Sequence, residues 1–159
     1  MGNSAGKLAI APEDPSSPDA VRLMAELSAV LAAITGDSGL SSFGPDDVRV
    51  PRSRFLVARD DKGRAVGCGA LRPLDGAAAE IKRMYAAQGG GGVGAALLAA
   101  LEQEAAALGY HVIRLSTRIV NTRAVSFYER HGYRLIPNFG RYKGSHESAC
   151  FEKQLVNHE

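Results

Sequence analysis

A chain of 159 residues, 45% hydrophobic and 23% charged, has the size and composition of one soluble domain with a single core. Its net charge of +2 is too mild to argue for a nucleic-acid partner, and no basic block or zinc spacing adds to it. No apolar run is long enough to cross a bilayer, and the first residues lack the apolar centre of a secretion signal. Cys68 and Cys150 stand far apart in strand-like segments, which fits free thiols in a reducing cytosol rather than a disulfide or a metal site.

Residues 1–6 read as a loose tail ahead of one domain covering 7–159, with a short strand at 7–11. Ser17-Pro18-Asp19 starts a helix: a capping hydroxyl, a proline at the first helical position and an acid in the first turn. Val21, Met24, Leu27, Leu31 and Ile34 follow at helical spacing, and Gly36 ends it. A polar stretch with a short helix at Pro45 leads to strands at 53–59 and 64–71, joined by the hairpin turn Asp60-Asp61-Lys62-Gly63. A third strand of this meander spans 80–85. A long helix at 95–108 stops at Gly109, and a strand follows at 111–117. A short helix at 122–131 and closing strands at 133–136 and 149–155 complete the chain, with a polar loop at 137–148 between the last two. The order predicts a mixed α/β sheet with helices on both faces.

The run Gln88-Gly89-Gly90-Gly91-Gly92-Val93-Gly94 joins the third strand to the long helix. Strand, glycine loop and helix N-terminus make a phosphate cradle, because glycine lets backbone N–H groups approach an anion at the positive end of the helix dipole. Gly89 to Gly94 has the glycine spacing of a nucleotide-hydrolysing loop, but Ala95-Ala96 stand where lysine and a hydroxyl are needed. Gly89, Gly91 and Gly94 also fit a dinucleotide fingerprint, a match that four successive glycines make almost free. The next strand ends Ser116-Thr117-Arg118, without the acid that fold uses on a ribose. Acyl-coenzyme A is the third possibility.

Gly92-Val93-Gly94 resembles the end of the R/Q-x-x-G-x-G/A signature of the GNAT superfamily of acetyl-CoA-dependent N-acetyltransferases. Asn121-Thr122-Arg123-Ala124-Val125-Ser126-Phe127-Tyr128-Glu129-Arg130-His131-Gly132-Tyr133 is similar to the family's second signature, N-x-x-A-x-x-F-Y-E-[KR]-x-G-[FY]. Glu80-Ile81-Lys82-Arg83-Met84-Tyr85 and Cys150-Phe151-Glu152-Lys153 resemble a group of small bacterial members. The likeness runs over about residues 7–156. Gln88 stands one place earlier than the family's Arg or Gln, in a loop about two residues shorter than its pattern.

The resemblance implies a GNAT-like, mostly antiparallel central sheet that opens between the strands at 80–85 and 111–117 to admit acetyl-CoA. It implies coenzyme contacts at Met84, Tyr85, Gln88, Gly89, Gly90, Gly91, Gly92, Val93, Gly94, Ala95, Asn121, Ala124, Tyr128 and Arg130. A backbone N–H near Met84 or Tyr85 would polarise the thioester carbonyl. Tyr128 would protonate the departing thiolate, its plainer reading being a packed aromatic on a helix face. Asn121 is most simply the cap of the helix at 122–131.

Charges at Glu80, Lys82 and Arg83 are costly in a covered central strand unless they are paired or face a cleft; a solvated edge strand is the alternative. Glu80 and Lys82 share a face by the two-residue period, and Glu80 stands where several family members carry the base that deprotonates the amine. Arg72, Lys82, Arg83, Arg118 and Arg141 could form a cationic pocket for a carboxylate-bearing substrate, against the reading of solvated surface charges. His146 is the one histidine placed to carry a proton, and it too reads more plainly as a surface residue. The expectation is a cytoplasmic N-acetyltransferase that moves the acetyl group of acetyl-CoA to a primary amine of a small molecule by direct attack. It has no nucleic-acid, membrane or metal partner, and a homodimer is left open. A non-catalytic acyl-CoA-binding domain and a dinucleotide-binding oxidoreductase are the alternatives.

Overall fold

The computed structural model describes residues 7–87 and 92–155. Along them run β1 (Ala9–Pro12), α1 (Pro18–Thr35), β2 (Arg54–Arg59), β3 (Ala65–Pro73), β4 (Ala78–Ala86), α2 (Val93–Ala107), β5 (Val112–Arg118), α3 (Thr122–Arg130), β6 (Arg134–Ile136) and β7 (Ser148–Gln154). Short 3-10 helices lie at Leu40–Ser42, Pro45–Val48 and Gly140–Tyr142. The order is the expected one, with the late polar loop holding a helical turn that its sequence did not announce.

Local chemistry accounts for α1. Ser17 Oγ accepts from the Ala20 N–H at 3.2 Å, Pro18 fills the first turn, and Gly36, at φ 80°, closes the helix in the left-handed conformation. The buried face differs from the expected one. Ala20, Leu23 and Leu27 are buried, whereas Val21 and Ile34 are 53% and 44% exposed. Two adjacent stripes satisfy helical spacing here. The stripe carrying Ala20 wins because a small side chain lets the helix settle over Cys68 and Ala70 of β3.

All seven strands join one sheet in the order β1-β2-β3-β4-β5-β7-β6. Neighbours are antiparallel except β4 and β5. This corrects two of the alternatives: β4 is the central strand rather than an edge, and a mostly antiparallel sheet is not a dinucleotide-binding fold. α1 packs on one face with Phe55, Val57, Cys68 and Ala70; α2, joined by Tyr128 of α3, packs on the other with Leu56, Ala58, Leu71 and Ile81.

α2 approaches β3 at Gly67. A Cβ there would lie 2.7 Å from Leu97 Cδ1, 2.9 Å from Val93 Cγ1 and 2.8 Å from the carbonyl oxygen of Tyr85. The carbonyl belongs to the strand ladder and cannot yield. Gly67→Ala is therefore expected to cost roughly 1–3 kcal/mol by overpacking. The readout is a lower urea midpoint at unchanged slope; an unchanged midpoint would mean that α2 is free to shift.

Two departures from regularity in β4 prepare the site. β4 pairs with β5 only over Ala78–Glu80 against Val112–Arg114, and the two strands run on without pairing. Opposite β3, Tyr85 faces Cys68 and Lys82 faces Ala70, so Arg83 and Met84 together oppose Gly69. This is a β-bulge, with Arg83 at φ 56°. The extra residue breaks the alternation and puts Lys82 and Arg83 on the same face.

Candidate active site

The parting of β4 from β5 opens a cleft of about 730 Å³. Residues 81–87 form one wall and Leu115, Ser116 and Thr117 the other, so the expected opening between these strands is present. Met84 and Tyr85 lie on the first wall. Asn121, Ala124, Phe127 and Tyr128 of the α3 segment line it as well, and so do Leu27, Leu31 and Ile34 of α1.

Gly92, Val93, Gly94 and Ala95 also line it. Gly92 caps α2 at φ 77°, and among the described residues no side chain caps the helix, so its first turn brings uncapped N–H donors to the cleft lining. Gly94 brings the backbone against the Phe127 ring, 3.4 Å from where a Cβ would sit. This end of the cleft has the donors a pyrophosphate needs. Gln88, Gly89, Gly90 and Gly91 lie outside the described residues. Arg130 is exposed at the rim.

Tyr128 is 8% exposed, in edge contact with the rings of Phe127 at 5.2 Å and Tyr133 at 5.6 Å. No hydrogen-bond partner for its hydroxyl is present among the described residues. Burial pushes the phenol well above its ordinary pKa of 10, so it holds its proton across the working pH range. Asn121 caps α3, as expected, by accepting from the Ala124 N–H at 3.2 Å, and it faces the cleft as well.

Glu80 is 2% exposed and does not border the cleft. Arg72 Nε donates to its Oε1 at 3.0 Å and the Tyr142 hydroxyl donates to its Oε2 at 3.0 Å. Arg72 also donates to Asp47 at 2.6 Å. Lys82 Nζ donates to the Tyr142 oxygen at 2.7 Å. Lys82 and Tyr142 thus stand between the Glu80 carboxylate and the open space.

The family model for the acetyltransferase (GNAT) family matches residues 23–133. The IAA acetyltransferase of Azospirillum brasilense is 32% identical over 149 residues, which cover 92% of this chain and 97% of that protein. The chain belongs to the GNAT acetyltransferase family. A Klebsiella pneumoniae structure assigned as an acyl-CoA N-acyltransferase aligns with a TM-score of 0.81 at 31% identity, over 96% of this chain and 100% of that one. A GNAT acetyltransferase of Elizabethkingia anophelis, solved with acetyl-CoA bound, shares the fold: TM-score 0.68, 18% identity, 93% and 98% of the two chains. The protein is an acyltransferase.

In this GNAT enzyme the five cations expected to form one pocket divide. Arg83 turns into the α1 interface, donating to the Met24 carbonyl at 2.8 Å and to the Ser28 hydroxyl. Its guanidinium fastens α1 to the bulge, and Arg83 lines the cleft as well. Arg72 is spent on Glu80 and Asp47, and Arg118 on Asp37 at 2.8 Å and Glu147 at 3.1 Å. Lys82 and Arg141 line a smaller cavity of about 270 Å³, which shares Lys82, Ser116, Thr117 and Asn121 with the cleft. His146 is exposed and borders neither space. Both cysteines are free and buried; burial pushes the Cys68 thiol up to about 12.

Sequence reasoning missed Tyr142 and Asp47. Asp47 reaches Arg72 from 25 residues away and Tyr142 reaches Glu80 from 62, distances over which no periodicity speaks. The one available signal was the aromatic pair Phe139 and Tyr142 in an otherwise polar loop; their rings meet edge to face at 5.4 Å.

Burial lowers the pKa of Lys82 to about 8, against the attraction of Glu80. The unfolded value is 10.5. Below pH 8 the folded enzyme carries the full cost of a buried ammonium. Between pH 8 and 10.5 the unfolded chain holds a proton that the folded one has lost, so stability rises with pH. Lys82→Met is expected to stabilise the fold by roughly 1–3 kcal/mol at pH 7, with the gain fading through that window. Melting curves at pH 7 and pH 10 check this, and an equal shift at both rules it out.

Proposed function

We propose that the enzyme transfers the acetyl group of acetyl-CoA to the primary amine of a small molecule by direct attack. One observation carries the reading: a single cleft is lined both by the N-terminus of α2 and by Tyr128, whose hydroxyl has no hydrogen-bond partner among the described residues. A phosphate cradle and a protonated phenol in the same cleft suit a long thioester whose leaving group needs a proton. The acetyl-CoA-bound neighbour and the acetyltransferase relative support the same cosubstrate.

The α2 N-terminus holds the pyrophosphate, and a backbone N–H on the wall at Met84 or Tyr85 polarises the thioester carbonyl. Attack forms the new C–N bond and breaks C–S. Tyr128 gives its proton to the departing sulfur. Glu80 draws off the proton that the amine loses, through the Tyr142 hydroxyl or a water beside it, since the carboxylate itself does not reach the cleft.

Calorimetry with acetyl-CoA tests the cradle, and release of free thiol over pools of primary amines tests the transfer. Gly94→Leu sets a bulky side chain against Phe127 at the cradle and is expected to weaken acetyl-CoA binding at least about tenfold, the loss of one charge-assisted hydrogen bond. Acetyl-CoA binding without thiol release from any amine would mean that the acceptor is not a primary amine. No binding at millimolar ligand by folded protein would sink acetyl-CoA as the donor.

A further inference from the structure

The smaller cavity carries more positive charge than an amine acceptor calls for. Its mouth lies beside Lys82, Ser116, Thr117 and Asn121, where it adjoins the cleft. Two cations face it without a carboxylate partner among the described residues: Lys82, which donates only to the Tyr142 hydroxyl, and Arg141, which donates to the Ser41 carbonyl at 3.1 Å. The acid that lines the cavity, Asp37, is taken by Arg118. The rest of the polar lining is hydroxyl-rich: Ser41, Ser42, Thr117, Ser145 and Ser148. We propose that the acceptor carries a carboxylate as well as its amine, and that Lys82 and Arg141 hold that carboxylate in the smaller cavity.

The inference rests on the acetyl-transfer reading and names its substrate class. An acceptor with only amines would bring like charge to this wall, which costs free energy in a half-buried site. A carboxylate there completes what the fold leaves open, because both cations gain a charge-assisted hydrogen bond. The charged groups around Lys82 agree. Glu80 on its own strand favours the ammonium, while Arg72 from β3, Arg83 in the bulge and Arg141 from the late loop oppose it, and burial outweighs the attraction. Tyr142, also on the late loop, is neutral and accepts its hydrogen bond. A bound anion relieves that imbalance. Arg141 lies on the late loop and Lys82 on the central strand, so together they fix the acceptor from two directions, with its amine turned toward the cleft.

The test pairs each amino acid with its own carboxamide, which keeps the amine and removes the negative charge. Thiol release from acetyl-CoA is measured for both, and calorimetry in the presence of coenzyme A measures binding of N-acetyl amino acids against N-acetyl amino acid amides. The expected result is a preference for the acid of roughly 10- to 100-fold in kcat/KM, the scale of a hydrogen-bonded charge. Arg141→Ala and Lys82→Met each shrink that ratio about tenfold or more. Arg141 is exposed, so its variant is expected to fold as the wild type does. Carboxamides turned over as well as the acids, or a ratio unmoved in Arg141→Ala, overturn the proposal while acetyl transfer stands. Charge-selective binding without thiol release keeps this site and defeats the transfer reading. No acid preference in either measurement overturns the proposal outright.

Discussion

Tyr128→Phe lowers kcat for acetyl transfer by about 10²-fold, the low end for a general acid, and leaves acetyl-CoA affinity within about twofold. The substitution removes one oxygen and keeps the ring. The edge contacts to Phe127 and Tyr133 therefore survive, and with them the packing of α3 on the sheet. The hydroxyl has no hydrogen bond to lose among the described residues, so folding stability should change little or rise. The loss falls in the chemical step because a proton for the sulfur is needed only as C–S breaks. A thiolate is a fair leaving group unprotonated, which keeps the effect at the lower end. Steady-state kinetics beside melting curves decide it: a retained kcat with a lower melting temperature makes Tyr128 a packing residue.

Glu80→Gln reduces kcat/KM by roughly 10- to 100-fold and also lowers stability, by about 1–3 kcal/mol. The double effect follows from the site. Glu80 is fully enclosed and accepts from both Arg72 and Tyr142, so an amide in its place presents a donor where an acceptor is needed. Arg72 keeps Asp47 at 2.6 Å, which holds the cost below that of a wholly stranded buried charge. A pH profile taken below the melting range separates the roles. If Glu80 draws off the amine's proton, the acid limb of kcat/KM changes in Glu80→Gln. Tyr142→Phe provides the cross-check, since it cuts the hydrogen bond to Glu80 and leaves the Arg72–Glu80 pair intact. If Glu80 works through Tyr142, the two single losses are similar and the double variant loses little more. Additive losses, or an unchanged acid limb, leave Glu80 as a structural anion.

The sequence by itself determined the local chemistry and the order of elements. Ser17, Pro18 and Gly36 bound α1 because capping and left-handed φ are properties of single residues. The start of α2 was legible to within two residues, at Val93 where Ala95 was expected, and the Asn121 cap on α3 was read directly. The strand meander and the two family-like signatures carried the fold and the acyltransferase class. Side-chain destinations beyond the nearest turn were decided by the tertiary structure. The alternation that puts Glu80 and Lys82 on one face holds only as far as Lys82; the bulge at Arg83 and Met84 then sends Arg83 into α1, and nothing in a one-dimensional pattern marks a bulge. The buried stripe of α1 was settled by which of two helical faces could approach β3. Glu80 was read as open to the amine, yet the late loop returns across the sheet and lays Tyr142 over it. Burial, charge pairing and pKa belong to the space between elements distant in the chain, and so the division of five cations into spent and open ones appears only once the chain has folded.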